Sequence, residues 1–164
     1  MKKILFIIGA SGAGKTTVAR LVEKAHIPNL VVYYADAVKV PLLTGSAPEE
    51  MQKESTLWWV KDVRDTHLNN HNILLDIQSR PQFIQEACSL FGITDYEVIL
   101  FDCSDEERKR RLIERKQPEL ANDDMANWAR YLRKVSVESG YQIVDTTKGT
   151  PEENFVQLLG VMGK

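Results

Sequence analysis

The chain has 164 residues, 43% of them apolar and 27% charged, with a net charge of −2. That length suits one domain, residues 1–164, with a sizeable core, and the composition is that of an ordinary globular protein. The near-balanced charge gives no reason to expect a nucleic-acid-coating surface.

Apolar, β-rich runs occur at 3–8, 30–34, 73–76, 97–102 and 142–145. Each is close to continuous, as for a strand buried on both faces of a parallel sheet. Helical stretches alternate with them: 15–25, 48–69, 81–91, 104–116, 123–138 and 152–162. Pro81 opens the third and Gly92 follows its end. Ser104 and Glu107 have the spacing of a capping box. Pro118 is expected to break the fourth helix. Such alternation predicts an α/β doubly wound sheet with right-handed crossovers, whose ligands bind beyond the carboxyl ends of the strands. Four of the five strands end at or beside an aspartate: Asp36, Asp76, Asp102 and Asp145.

Residues 4–8 follow two lysines in the manner of a signal peptide, but the run is short and flows directly into a glycine loop. No stretch approaches the roughly 20 apolar residues of a membrane span. Cys88 and Cys103 have no C-x-x-C partner, which suits buried thiols in a reducing compartment. A cytoplasmic protein without membrane partners is expected, either a monomer or a homodimer. His26, His67 and His71 have no converging acid or cysteine pattern that would make them ligands or nucleophiles.

Gly9-Ala10-Ser11-Gly12-Ala13-Gly14-Lys15-Thr16 matches G-x-x-x-x-G-K-[ST], directly after a strand and before a helix. Gly9, Gly12 and Gly14 permit backbone geometry and close approaches that side chains would block. The N–H groups from Ser11 through Ala13 to Thr17 then converge on a polyphosphate, helped by the positive end of the following helix. Lys15 supplies a point charge to the β- and γ-phosphates, and Thr16 offers a hydroxyl to Mg²⁺. ATP with Mg²⁺ is the expected cofactor pair, with the base left unread by any motif. No Asn-Lys-x-Asp or Leu-Ser-Gly-Gly-Gln stretch is present, and the length argues against an AAA module. The small kinases remain.

Several spaced residues complete the pattern. Asp76-Ile77-Gln78-Ser79-Arg80 follows an apolar run, Asp36 and Lys39 follow the second strand, and Arg111 and Arg115 lie one helical turn apart. On these residues and the glycine loop the sequence resembles the adenylate-kinase-like superfamily of nucleoside monophosphate, shikimate and gluconate kinases and some antibiotic phosphotransferases. The resemblance implies a three-layer fold with a five-stranded parallel sheet in the order 2-3-1-4-5. It also implies an acceptor-binding helical segment at about 36–70 and a short lid at about 115–123. Asp76 and Arg80 keep the spacing of the family's Asp-Gly-x-Pro-Arg segment, with its glycine and proline replaced. The resemblance makes Asp76 the metal acid in preference to Asp102. It makes Asp36 the base or orienting group for an acceptor hydroxyl, although a helix N-cap is the rival reading. Lys39, Gln78 and Arg80 would contact the acceptor. Arg111 would contact the nucleotide and Arg115 the transferring phosphate, work that suits a planar, permanently charged guanidinium. Lys148 lies in the loop after the last strand, which cradles the base in similar proteins.

Arg108, Lys109 and Arg110 read as a solvated basic face, and Arg130 and Arg133 as side chains within reach of the phosphates. The expected activity is transfer of the γ-phosphate to a small-molecule hydroxyl or nucleotide acceptor, with a slight preference for the hydroxyl. The alternative is a nucleotide-binding regulatory module with weak or no turnover.

Overall fold

Five apolar runs become five parallel strands in a computed structural model that describes residues 3–40 and 47–163. Residues 41–46, within the segment expected to bind the acceptor, lie outside the described residues. The strands are β1 (Ile4–Ile8), β2 (Leu30–Tyr34), β3 (Asn72–Asp76), β4 (Tyr96–Asp102) and β5 (Gln142–Asp145). Their order is β2-β3-β1-β4-β5, as the resemblance implied. The helices are α1 (Lys15–Lys24), α2 (Pro48–Thr66), α3 (Pro81–Leu90), α4 (Asp105–Glu114), α5 (Asp123–Ser139) and α6 (Pro151–Val161).

Alternate residues of a strand face opposite sides, so β1 feeds two cores at once. Ile4, Phe6 and Ile8 join one core with Trp59, Val60 and Val63 of α2, Ile84 of α3 and Leu132 of α5. Leu5 and Ile7 join the other with Val18 and Val22 of α1 and Leu158 of α6. All five β1 residues are buried. Burial on both faces fails at the sheet edges. Every residue of β2 is half-buried, and β5 buries Val144 alone. An edge strand has a neighbour on one side only, so its outer rows stay in contact with water.

Parallel register brings the strand ends to one edge of the sheet. Tyr34 and Ile7 both pair with Asp76, Ile8 pairs with Leu100, and Asp102 pairs with Asp145. The loop after β1 therefore rises between the acids that end β3 and β4. Gly9 holds that rise close to its neighbour: a Cβ built there would lie 2.4 Å from the Phe101 carbonyl oxygen. Gly9→Ala must push two backbones apart, and a loss of about 1–3 kcal/mol is expected, read from the urea midpoint.

The fourth helix departs from expectation at both ends. Ser104 Oγ accepts from Glu107 N at 3.2 Å, but the Glu107 carboxylate turns to arginines, so only half the capping box forms. The complete box is at α6, between Thr150 and Glu153. At the other end, α4 stops at Glu114, ahead of Pro118. Lys116 takes a left-handed φ of 59°, and Gln117 N donates to Leu112 O at 2.9 Å, closing the last turn. A 3-10 turn at Pro118–Leu120 then leads into α5.

Candidate functional site

Lys15 starts α1 and folds back over its own loop, its Nζ donating to Gly9 O at 2.9 Å. The same ammonium lies 4.0 Å from Asp76 Oδ1, and Thr16 Oγ1 donates to Asp76 Oδ2 at 2.5 Å. Burial pulls the Lys15 ammonium below its usual value, opposed by Asp76 and Asp36 and assisted by Arg115. Burial pushes the Asp76 carboxyl upward, opposed by Lys15 and the Thr16 hydrogen bond, while Asp36 adds to the rise. A polyphosphate arriving beside Lys15 would favour the ammonium.

Above the loop lies a cavity of about 210 Å³, walled by Ser11, Gly12, Gly14, Lys15, Thr16, Asp36, Gln78, Arg115, Gln117 and Leu120 among others. Three segments distant in sequence thus meet the glycine loop here: the turn after β2, the loop after β3 and the start of the 115–123 segment. Asp36 sits inside the 3-10 turn Ala35–Ala37, whose N-cap is Tyr34, and its side chain is exposed. The N-cap reading of Asp36 is thereby removed.

A second cavity of about 300 Å³ shares Gly14 and Arg115 with the first and is further lined by Thr17, Val18, Arg111, Gly149, Pro151 and Asn154. Arg111 is fixed on its wall. It donates to Gly12 O at 3.2 Å, Thr146 Oγ1 at 3.0 Å, Thr146 O, and Glu107 Oε1 at 2.7 Å. It clamps the loop after β5 to the glycine loop and leaves the flat guanidinium face as its free feature. The hydrogen bond from Arg110, and after it that from Arg111, pulls the Glu107 carboxyl from 4.5 down to about 2. A lowered folded-state value means that Glu107 stabilises the fold fully above pH 4.5, and that this is lost as pH falls toward 2. The thermal midpoints of wild type and Glu107→Gln should therefore differ at neutral pH and converge below that range.

Asp102 is the strand-end acid that competes with Asp76 on sequence pattern. It is occupied. Arg133 Nε donates to its Oδ2 at 2.5 Å, and Arg108 Nη2 lies 3.7 Å from its Oδ1. Asp76 alone of the two meets the loop threonine. Mg²⁺ keeps several waters and takes one or two carboxylates with substrate phosphates, so one acid and one hydroxyl suffice. Among the described residues no group of three or more His, Cys, Asp or Glu could hold a metal by itself. Thr16 and Asp76 fit the ion.

Other expected positions lie apart. Ala13 is buried beneath the loop, and Lys39 and Lys148 are exposed and line neither cavity. Arg80 also lines neither. Its Nη1 donates to Gln52 Oε1 at 2.9 Å, and its guanidinium carbon lies 5.2 Å from the Trp128 ring centre and 5.6 Å from that of Phe83. Arg108 corrects the solvated-face reading. It is 3% exposed, donates to Cys103 O at 3.0 Å, and packs its Cγ where a Cβ on Gly12 would stand 3.0 Å away. Arg130 pairs with Asp105 at 3.1 Å and Arg133 with Asp102, so neither turns to the loop. Trp59 packs inward at 2% exposed, with Trp58 half-buried beside it. No helix among the described residues is long and apolar enough to cross a membrane.

A family model described as an AAA domain matches residues 5–129. This corrects the exclusion drawn from length: the matched unit is the loop-bearing core from β1 into α5, which this chain is long enough to hold. UMP-CMP kinase 3 of Oryza sativa subsp. japonica is 29% identical over 154 residues, covering 87% of this chain and 71% of that protein. Among solved structures, the Mycobacterium tuberculosis APS kinase in complex with AMPPNP and APS superposes with a TM-score of 0.67 at 16% identity. It covers 99% of this chain and 98% of that one. The Deinococcus radiodurans tunicamycin resistance protein reaches 0.70 at 15% identity, covering 99% and 96%. The resemblance to small P-loop kinases read from the sequence is borne out, and the fold is kinase-like.

Proposed function

The chain belongs to the AAA-domain family of P-loop proteins, and from that premise we propose that it is a phosphotransferase moving the γ-phosphate of magnesium-ATP to a small-molecule acceptor. The observation that carries the reading is the convergence of Lys15, Thr16, Asp36, Gln78 and Arg115 on one cavity, which shares Gly14 and Arg115 with a second of about 300 Å³. In this reading the loop amides from Ser11 to Thr17 hold the polyphosphate, except that of Ala13, which donates to Ala10 O at 3.1 Å, and Lys15 meets the β- and γ-oxygens. Thr16 and Asp76 hold Mg²⁺, which when bound neutralises charge on those oxygens. Asp36 accepts the proton of the acceptor hydroxyl, and Gln78, on the same cavity, orients the acceptor. Arg115 takes up charge on the transferring group, and residues 115–123 close over it and exclude water. Arg111 and Pro151 flank the base.

An exposed carboxylate on the cavity wall supports a hydroxyl acceptor. So does the position of Arg80 and Lys39, the cations a nucleotide acceptor would need, outside that wall. The similarity to UMP-CMP kinase 3 supports the nucleotide. A screen of nucleosides, nucleoside monophosphates, sugar acids and aminoglycosides for acceptor-stimulated ADP release tests the reading. Stimulation by a member of one class is expected. A folded protein that binds ATP but is stimulated by nothing in the panel would be a binding module instead.

A further inference from the structure

We infer that Gln117 is a further residue of the phosphate site, its side-chain amide donating to the γ-phosphoryl group, so that this contact tells a nucleoside triphosphate from a diphosphate. The inference rests on the proposed phosphotransferase reading, which places that group in the first cavity. Gln117 lines this cavity together with Lys15, Thr16, Asp36, Gln78 and Arg115. Arg115 lines the second cavity as well, and Gln117 does not. Gln117 therefore stands at the end that Asp36 and Gln78 occupy, where the transferring group meets its acceptor.

The fold fixes the main chain of Gln117 and leaves its side chain free. Gln117 N donates to Leu112 O at 2.9 Å, and Leu112 is fully buried, so the turn that carries Gln117 hangs on the core. Gln117 O accepts from Leu120 N at 3.1 Å across the 3-10 turn. Both main-chain polar groups are thus spent. The side chain is exposed, and among the described residues it makes no hydrogen bond. Its amide is the polar group that Gln117 has left to offer the cavity. Such an amide donates to a phosphoryl oxygen without adding to the charge of Lys15 and Arg115. Leu120 of the same turn also lines the cavity, and an apolar neighbour that displaces water strengthens a hydrogen bond to a charged group. Arg111 ties α4 to the glycine loop through Gly12 O at 3.2 Å, so the helix end that presents Gln117 is placed before a nucleotide arrives.

Calorimetric titration of the intact protein with ADP and with the non-hydrolysable β,γ-imido analogue of ATP, each in millimolar magnesium, tests this. Wild type is expected to bind the analogue more tightly than ADP. In Gln117→Met, which keeps the length of the side chain without a donor, the analogue should lose about tenfold in affinity while ADP keeps its own. ADP is the internal control, because a disturbed fold or a displaced segment would weaken both ligands together. An equal loss for the two ligands, or no loss for the analogue, overturns the inference and leaves the phosphotransferase reading standing. Equal affinity of wild type for the analogue and ADP does the same. Binding of neither ligand by folded wild type overturns both.

Discussion

Arg115→Ala is expected to lower acceptor-dependent kcat by about 10³-fold or more, with ATP binding largely retained. Arg115 caps the C-terminus of α4, is exposed, and stands where the two cavities meet. Its neighbours in sequence and space are committed: Arg110 to Glu107 and Glu114, Arg111 to Glu107, Arg108 to Asp105, Arg133 to Asp102. Among the described residues no carboxylate pairs with Arg115, so its full charge is available to the transferring group. Its base is also held, because Arg111 one turn earlier ties α4 to the glycine loop and to Thr146. Removing an exposed, unpaired side chain at a helix end should change stability by no more than about 0.5 kcal/mol. A fall in kcat with an unchanged melting curve therefore reports lost stabilisation of the reacting phosphate. Arg115→Lys keeps the charge but not the planar fork, and partial recovery is expected. If Arg115→Ala turns over at the wild-type rate, the assignment of Arg115 is wrong.

The framework was legible because buried strands write themselves in apolar residues. The runs at 30–34 and 142–145 match β2 and β5 at both ends, and the other three differ by one residue at the start. The glycine loop was legible because its chemistry allows few residue types. What escaped is what depends on partners distant in sequence. Arg108 reads as solvent-facing beside Lys109 and Arg110, yet its helix turns it onto Asp105 and Cys103 O, and the burial is set by β4 and the glycine loop. Arg80 keeps a family spacing, but Gln52 of α2 and the rings of Phe83 and Trp128 decide where its guanidinium rests.

Asp36→Asn separates the two acceptor classes, and its expected effect is a fall in kcat of about 10²–10⁴-fold with ATP affinity kept. The carboxylate is exposed on the wall of the cavity that Lys15 and Arg115 share, and both Lys15 and Asp76 feel its charge. An amide in its place keeps size and hydrogen-bonding reach but cannot accept a proton, so a hydroxyl acceptor would be bound and left unactivated. The 3-10 turn does not depend on the side chain, since Tyr34 holds the N-cap position and no side-chain cap is made there. Melting temperature should accordingly be unchanged. A phosphate acceptor arrives already ionised near neutral pH and has little use for a base, so for that class the variant should keep most of its kcat. It should even bind the acceptor better, because a negative charge facing an incoming phosphate has been removed. Single-turnover measurement with a hydroxyl acceptor and with a nucleoside monophosphate, on wild type and Asp36→Asn, reads the difference directly. Equal rates for wild type and variant with every active hydroxyl acceptor would remove Asp36 from the chemistry and turn the assignment toward the nucleotide class.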